Sequence, residues 1–131
     1  MKLFVFIPKK ALMGFFREAI KEYEKRLLPY LSSSVMYYST KDDLQKKLTD
    51  SYRINIETGS DTIDSLCFAR KISDFGNRGI SNITYIINSP IASNETLNLS
   101  SLDLSDGMLA TLLYEQIYRA FRINDNKPYH K

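Results

Sequence analysis

Glu115 and Arg119 stand four residues apart in the run Tyr114-Glu115-Gln116-Ile117-Tyr118-Arg119-Ala120-Phe121. On a helix that spacing puts both side chains on one face. A carboxylate that steadies a guanidinium leaves its outer N–H groups aimed at a phosphate or at the edge of a base. An ordinary surface ion pair, worth under ~1 kcal/mol, has the same spacing. A few residues on come Lys127, Pro128, Tyr129, His130 and Lys131. There the two rings can stack on a nucleobase and the lysines can meet phosphate, while His130 can carry a proton near neutral pH. A chain-end segment of this kind is also commonly frayed, although Pro128 restricts it.

Other chemistries find no support. Cys67 is the single cysteine and His130 the single histidine, so no disulfide framework, cysteine-rich metal site or histidine-based metal centre is expected. The sequence has no GxGxxG fingerprint, P-loop or GxSxG elbow, and a Ser-His-Asp triad would have to recruit His130. The 131 residues, 44% hydrophobic and 25% charged, suit one globular domain spanning 1–131. A net charge of +3 permits a polyanionic partner without requiring one. The apolar opening Leu3 to Ile7 is too short for a signal segment, and no apolar run reaches membrane-spanning length. A soluble, cytoplasmic protein with no membrane or metal partner is expected.

The positioning elements follow from periodicity. Lys2 to Ile7 reads as a buried strand. Leu12, Phe16, Ala19, Ile20, Tyr23 and Leu27 recur at helical spacing, with Glu22 and Arg26 able to pair, and Pro29 ends that helix. Ser33 to Tyr38 predicts a strand, Asp42 to Leu48 a short helix, and Tyr52 to Ile56 a strand closed by Gly59. Asp61 is the expected cap of a helix over Thr62 to Phe75, with Gly76 as its left-handed exit. Asn82 to Ile87 reads as a strand broken by Asn88-Ser89-Pro90. Thr96 to Leu104 reads as a strand followed by a tight apolar loop. Ser105-Asp106-Gly107 then offers cap chemistry for a last helix striped by Leu109, Leu112, Leu113, Ile117, Ala120 and Phe121. Strands alternating with helices imply an α/β fold, its mostly parallel sheet covered on both faces.

The run Glu115 to Phe121, followed by Pro128-Tyr129-His130-Lys131, closely resembles the C-terminus of the RlmH family. These are SPOUT-class enzymes that use S-adenosylmethionine to methylate N3 of a pseudouridine in large-subunit ribosomal RNA. The opening strand, Tyr23-Glu24-Lys25-Arg26-Leu27, Glu57-Thr58-Gly59 and Ile83 to Ile87 also resemble family segments. The resemblance implies a trefoil-knotted fold, a rare exception to the rule against threaded chains. It implies a homodimer with cofactor near the interface, and ribosomal RNA or the assembled ribosome as partner. By position it assigns cofactor binding to Asn55, Asn88, Leu99, Ser100, Ser101, Leu102, Asp103 and Leu104. It assigns RNA binding and catalysis to Glu115, Arg119, Tyr129 and His130, with Lys127 and Lys131 on phosphate. In this reading Arg119, held by Glu115, stabilises charge on the uracil-like ring, Tyr129 orients the base, and His130 contacts RNA or moves a proton.

The sequence departs from the family pattern in two places. Where members carry a glycine-rich loop after the fourth strand, this chain reads Asn88-Ser89-Pro90-Ile91-Ala92-Ser93, and no glycine lies between Gly79 and Gly107. Asparagine adopts positive φ but does not allow the close ligand approach of glycine. The connection onward is shorter, and Ser105-Asp106 replaces a Pro-His at the last helix. Three readings stand: an active methyltransferase with a trimmed cofactor loop, a non-catalytic relative that binds RNA or ribosomes, and an unrelated α/β interaction domain.

Overall fold

A computed structural model describes residues 1–8 and 14–126. Its elements are β1 (Lys2–Pro8), α1 (Gly14–Leu27), β2 (Ser32–Tyr38), α2 (Lys41–Lys47), β3 (Tyr52–Thr58), α3 (Ser65–Asn77), β4 (Asn82–Ile87), β5 (Glu95–Ser100) and α4 (Asp106–Asn124). The strands form one sheet in the order β2-β1-β4-β3-β5, and every pairing is parallel. Leu12, expected on the first helix, lies outside the described residues.

One face of the sheet carries the main core. Leu3, Val5, Ile7, Ile54, Ile56, Ile83, Tyr85 and Ile87 alternate onto it and meet Ile20 and Leu27 of α1, Phe68 and Ile72 of α3, and Leu109, Leu113 and Ile117 of α4. Ala110 and Tyr114 are buried on α4 as well, whereas Leu112 and Phe121, placed in its stripe by periodicity, are only partly covered. The opposite face has a small cluster of Phe6, Tyr38, Leu44 and Ile86. Among the described residues coverage of the two faces is therefore unequal, because only the seven-residue α2 and the 88–94 connection cross the second one.

That connection joins two parallel strands without a helix, where crossovers usually need about a dozen residues or more. Asn55 fixes it from beneath: its Nδ2 donates to Ile91 O at 2.8 Å and its Oδ1 accepts from Ser93 Oγ at 2.7 Å. Arg53 N donates to Asn94 Oδ1 at 2.8 Å, and Asn94 N donates back to Arg53 O at 3.0 Å.

The third helix starts later than its sequence suggests. Thr62 bridges Asn98 in parallel and Ile63 N donates to Asn98 O at 3.1 Å, so the chain after β3 runs along the outer edge of β5. Asn98 is thus paired with Glu57 on one side and Thr62 on the other. Asp64 caps α3, accepting from Cys67 N at 2.8 Å, in place of the expected Asp61. Gly76 sits inside the helix, and the left-handed residue beyond it is Gly79, at φ 72°. Ser105, not Asp106, caps α4 and accepts from Met108 N at 3.3 Å.

Candidate functional site

Ligands of parallel α/β sheets bind outside the carboxyl ends of the strands, where neighbouring strands send the chain to opposite faces. β3 and β4 do this: β3 leads to α3 on the main-core face, and β4 leads to 88–94 on the other. Asn88 closes β4 at φ 45°, a left-handed conformation that suits asparagine better than most residues. Its N–H donates to Ile56 O at 2.9 Å, and its side-chain Nδ2 donates to Asp106 at the start of α4. Tyr38 Oη donates to Ile87 O at 2.8 Å and Asn88 O at 3.3 Å. Burial, with the Asp106 carboxylate second, pushes the Tyr38 hydroxyl up to about 12.

The other candidate cofactor residues are split. Leu99 and Leu104 pack against the core, while Ser101, Leu102 and Asp103 are exposed. Ser100 closes β5; its Oγ accepts from Leu102 N at 3.0 Å and its carbonyl accepts from Gly59 N at 2.9 Å. A Cβ on Gly59 would lie 2.7 Å from Asn98 Nδ2, so a side chain at this crossing requires the Asn98 amide to shift. Asn55, only 5% exposed, has both ends of its amide engaged by Ile91 and Ser93.

A second cluster lies further along α4. Arg119 Nη2 meets Glu115 Oε1 at 3.0 Å, and the two side chains are 22% and 19% exposed. That degree of cover separates the pair from an ordinary solvated one. Gln116 Nε2 donates to Glu115 Oε2 at 2.6 Å, Ser65 Oγ donates to Gln116 Oε1 at 2.7 Å, and Arg119 Nη1 donates to Ser65 Oγ at 3.5 Å. Ser65 and Gln116 also line a cavity of about 220 Å³, with Phe68, Leu99 and Leu112 among its apolar walls. Arg26 lies over the Tyr23 and Tyr118 rings at 5.6 and 6.0 Å. Burial, and then Glu115, raises the Tyr23 hydroxyl above its ordinary range.

Lys127, Tyr129, His130 and Lys131 lie outside the described residues. Sequence reading missed Ser65 and Tyr38, which no local spacing connects to either cluster. Among the described residues, no group of His, Cys, Asp and Glu is arranged to hold a metal, and no helix is long and apolar enough to cross a membrane.

A family profile described as "Predicted SPOUT methyltransferase" matches residues 1–130. The chain is 36% identical over 119 residues to ribosomal RNA large subunit methyltransferase H 1 of Thermoanaerobacter sp. strain X514, covering 89% of this chain and 90% of the relative. Over 145 residues it is 28% identical to ribosomal RNA large subunit methyltransferase H of Lactobacillus acidophilus, covering 89% and 91%. Its namesake in Dictyoglomus thermophilum is 26% identical over 152 residues, covering 99% of each chain. The two longer alignments exceed the 131 residues of this chain, so those relatives carry residues with no counterpart here. The Thermoanaerobacter relative is nearly as short as this chain, so a compact form is not peculiar to it. On the profile match and these identities, the chain belongs to the SPOUT methyltransferases, among the ribosomal RNA large subunit methyltransferase H proteins.

Proposed function

We propose that this protein transfers a methyl group from S-adenosylmethionine to N3 of a pseudouridine in large-subunit ribosomal RNA, acting in the cytoplasm as a homodimer with a trefoil knot. The observation that carries this reading is that α4 joins the two clusters. It begins at Asp106, hydrogen-bonded to Asn88 at the carboxyl end of β4, and later presents Arg119 braced by Glu115. S-adenosylmethionine supplies a methyl group on a positively charged sulfur, which is a good leaving group. Asp106 brings a carboxylate to Asn88 at the carboxyl end of β4, a charge that suits a sulfonium. Asn88 and the 99–104 segment would hold the cofactor, with Asn55 keeping the adjoining loop in place.

The remaining work is alignment of the acceptor nitrogen and removal of its proton, and alignment supplies most of the rate in such a design. Arg119 stabilises negative charge growing on the base. Tyr129 orients the base, His130 contacts RNA or takes a proton, and Lys127 and Lys131 add salt-sensitive attraction to phosphate. Arg119 lies thirteen positions beyond Asp106 on the helix, about 20 Å along the axis. That span favours a dimer in which the crevice of one subunit is completed by Arg119 of the other. Exposed Leu102 and Met108, at 71% and 47%, flank the entry to α4 and supply apolar surface for self-association. The knot reading draws on residues 59–63, which run outside β5 while the chain leaving β5 turns inward to α4.

Calorimetric titration with S-adenosylmethionine, followed by methylation of ribosomes, tests the reading. Saturable binding is expected, with loss of methylation by about 10² or more in Arg119→Ala. A folded protein that bound RNA or ribosomes, with no cofactor binding or methylation even when RNA was present, would instead be a non-catalytic relative.

A further inference from the structure

We infer that Ser65, on a different helix from Glu115 and Arg119, is a positioning residue for Arg119. This rests on the reading of Arg119 as the group that meets the RNA base. The four side chains close a ring: Arg119 to Glu115 at 3.0 Å, Gln116 to Glu115 at 2.6 Å, Ser65 to Gln116 at 2.7 Å, and Arg119 to Ser65 at 3.5 Å. Each carboxylate oxygen of Glu115 takes a different donor, so the carboxylate cannot swing toward Arg119 or Gln116 alone. From within α4, Glu115 holds the guanidinium at Nη2. Ser65 supplies a second point on Nη1, and two points on different nitrogens set the plane of the fork.

The hydroxyl of Ser65 has no competing structural duty at the start of its own helix. Asp64 already caps α3 through Cys67 N. Ser65 is instead the first residue inside the helix, and its Oγ reaches across to α4. The part-buried setting of all four groups strengthens these bonds relative to solvated ones. Because Ser65 follows the segment that runs along β5, the angle of Arg119 is tied to the outer edge of the sheet.

The experiment is a double-mutant cycle of Ser65→Ala with Arg119→Ala, read as kcat and KM for ribosome methylation. Arginine side-chain NMR on the same proteins reports rotation of the Arg119 guanidinium. Ser65→Ala is expected to lower kcat about tenfold with little change in KM for RNA, and to speed guanidinium rotation. Ser65→Thr, which keeps the hydroxyl, should restore both. In the Arg119→Ala background, Ser65→Ala should cost nothing further. Unchanged guanidinium rotation in Ser65→Ala overturns the inference whatever the activity. So does a loss of kcat that persists undiminished in the Arg119→Ala background. If Arg119→Ala methylates as well as the unaltered protein, the assignment of Arg119 fails as well. If the unaltered protein does not methylate at all, the functional reading fails while the NMR still decides whether Ser65 positions Arg119.

Discussion

Tyr38 ties three elements together through one hydroxyl: it ends β2, holds the last carbonyls of β4, and lies near the carboxylate that opens α4. A free tyrosine ionises near pH 10, and this one is held up to about 12. Between those values the unfolded chain releases a proton that the folded chain keeps. The stabilisation is therefore whole below pH 10 and disappears as pH rises through about 12. Denaturant unfolding across this range is expected to show falling stability. Tyr38→Phe should give a shallower fall by one proton, while buried Tyr85 and Tyr114, whose hydroxyls burial also raises, keep the remainder. At this scale the sequence was informative where partners are close in the chain. Glu115 with Arg119 and Glu22 with Arg26 both pair as their spacing predicts. Ser65 lies 54 positions from Arg119 and Tyr38 lies 49 from Ile87, and only tertiary structure brings such partners together.

Elements were legible when one rule acted alone. The apolar runs of β1 and β4 fall within a residue of their expected limits, since each is buried on at least one face. α3 was misplaced because Asp61 and Asp64 are both good caps, and the choice between them was made by Thr62 and Ile63 pairing with Asn98. Gly76 and Gly79 posed the same problem at its other end. Gly59 lies so close to the Asn98 amide that an added methyl must displace it. Gly59→Ala should cost about 1–3 kcal/mol in denaturant unfolding, the usual range for overpacking. Removing the obstructing side chain as well, in Gly59→Ala with Asn98→Ala, should recover part of it. Full stability in the single variant would show that Asn98 moves aside freely.

At the scale of the molecule, alternating strands and helices were enough to predict a parallel sheet. They were not enough to predict how few of the described residues cover its second face, because a helix-free crossover of seven residues has no periodicity to read. Assembly is where the molecular scale meets the proposed site. Met108, 47% exposed on the first turn of α4, is expected to face a second copy of the chain. Sedimentation should find a dimer, and Met108→Glu should shift it toward monomer by placing a charge in that contact. An unaltered protein that sediments as a monomer at every concentration would remove the dimer from the proposal.

The run of residues 59–63 along β5 also governs behaviour in a crowded solution. A sheet edge with free N–H and C=O groups is a template on which other chains can aggregate. Asn98 of β5 already has Thr62 and Ile63 on its outer side, so a stranger has less backbone to join there. At the opposite edge β2 opens with three serines, and the Lys47 ammonium sits on Tyr37 O at 2.7 Å, putting a charge where another strand would have to dock. Both ends of the sheet thus carry their own gatekeepers, and the protein should tolerate high concentration better than a bare five-stranded parallel sheet would.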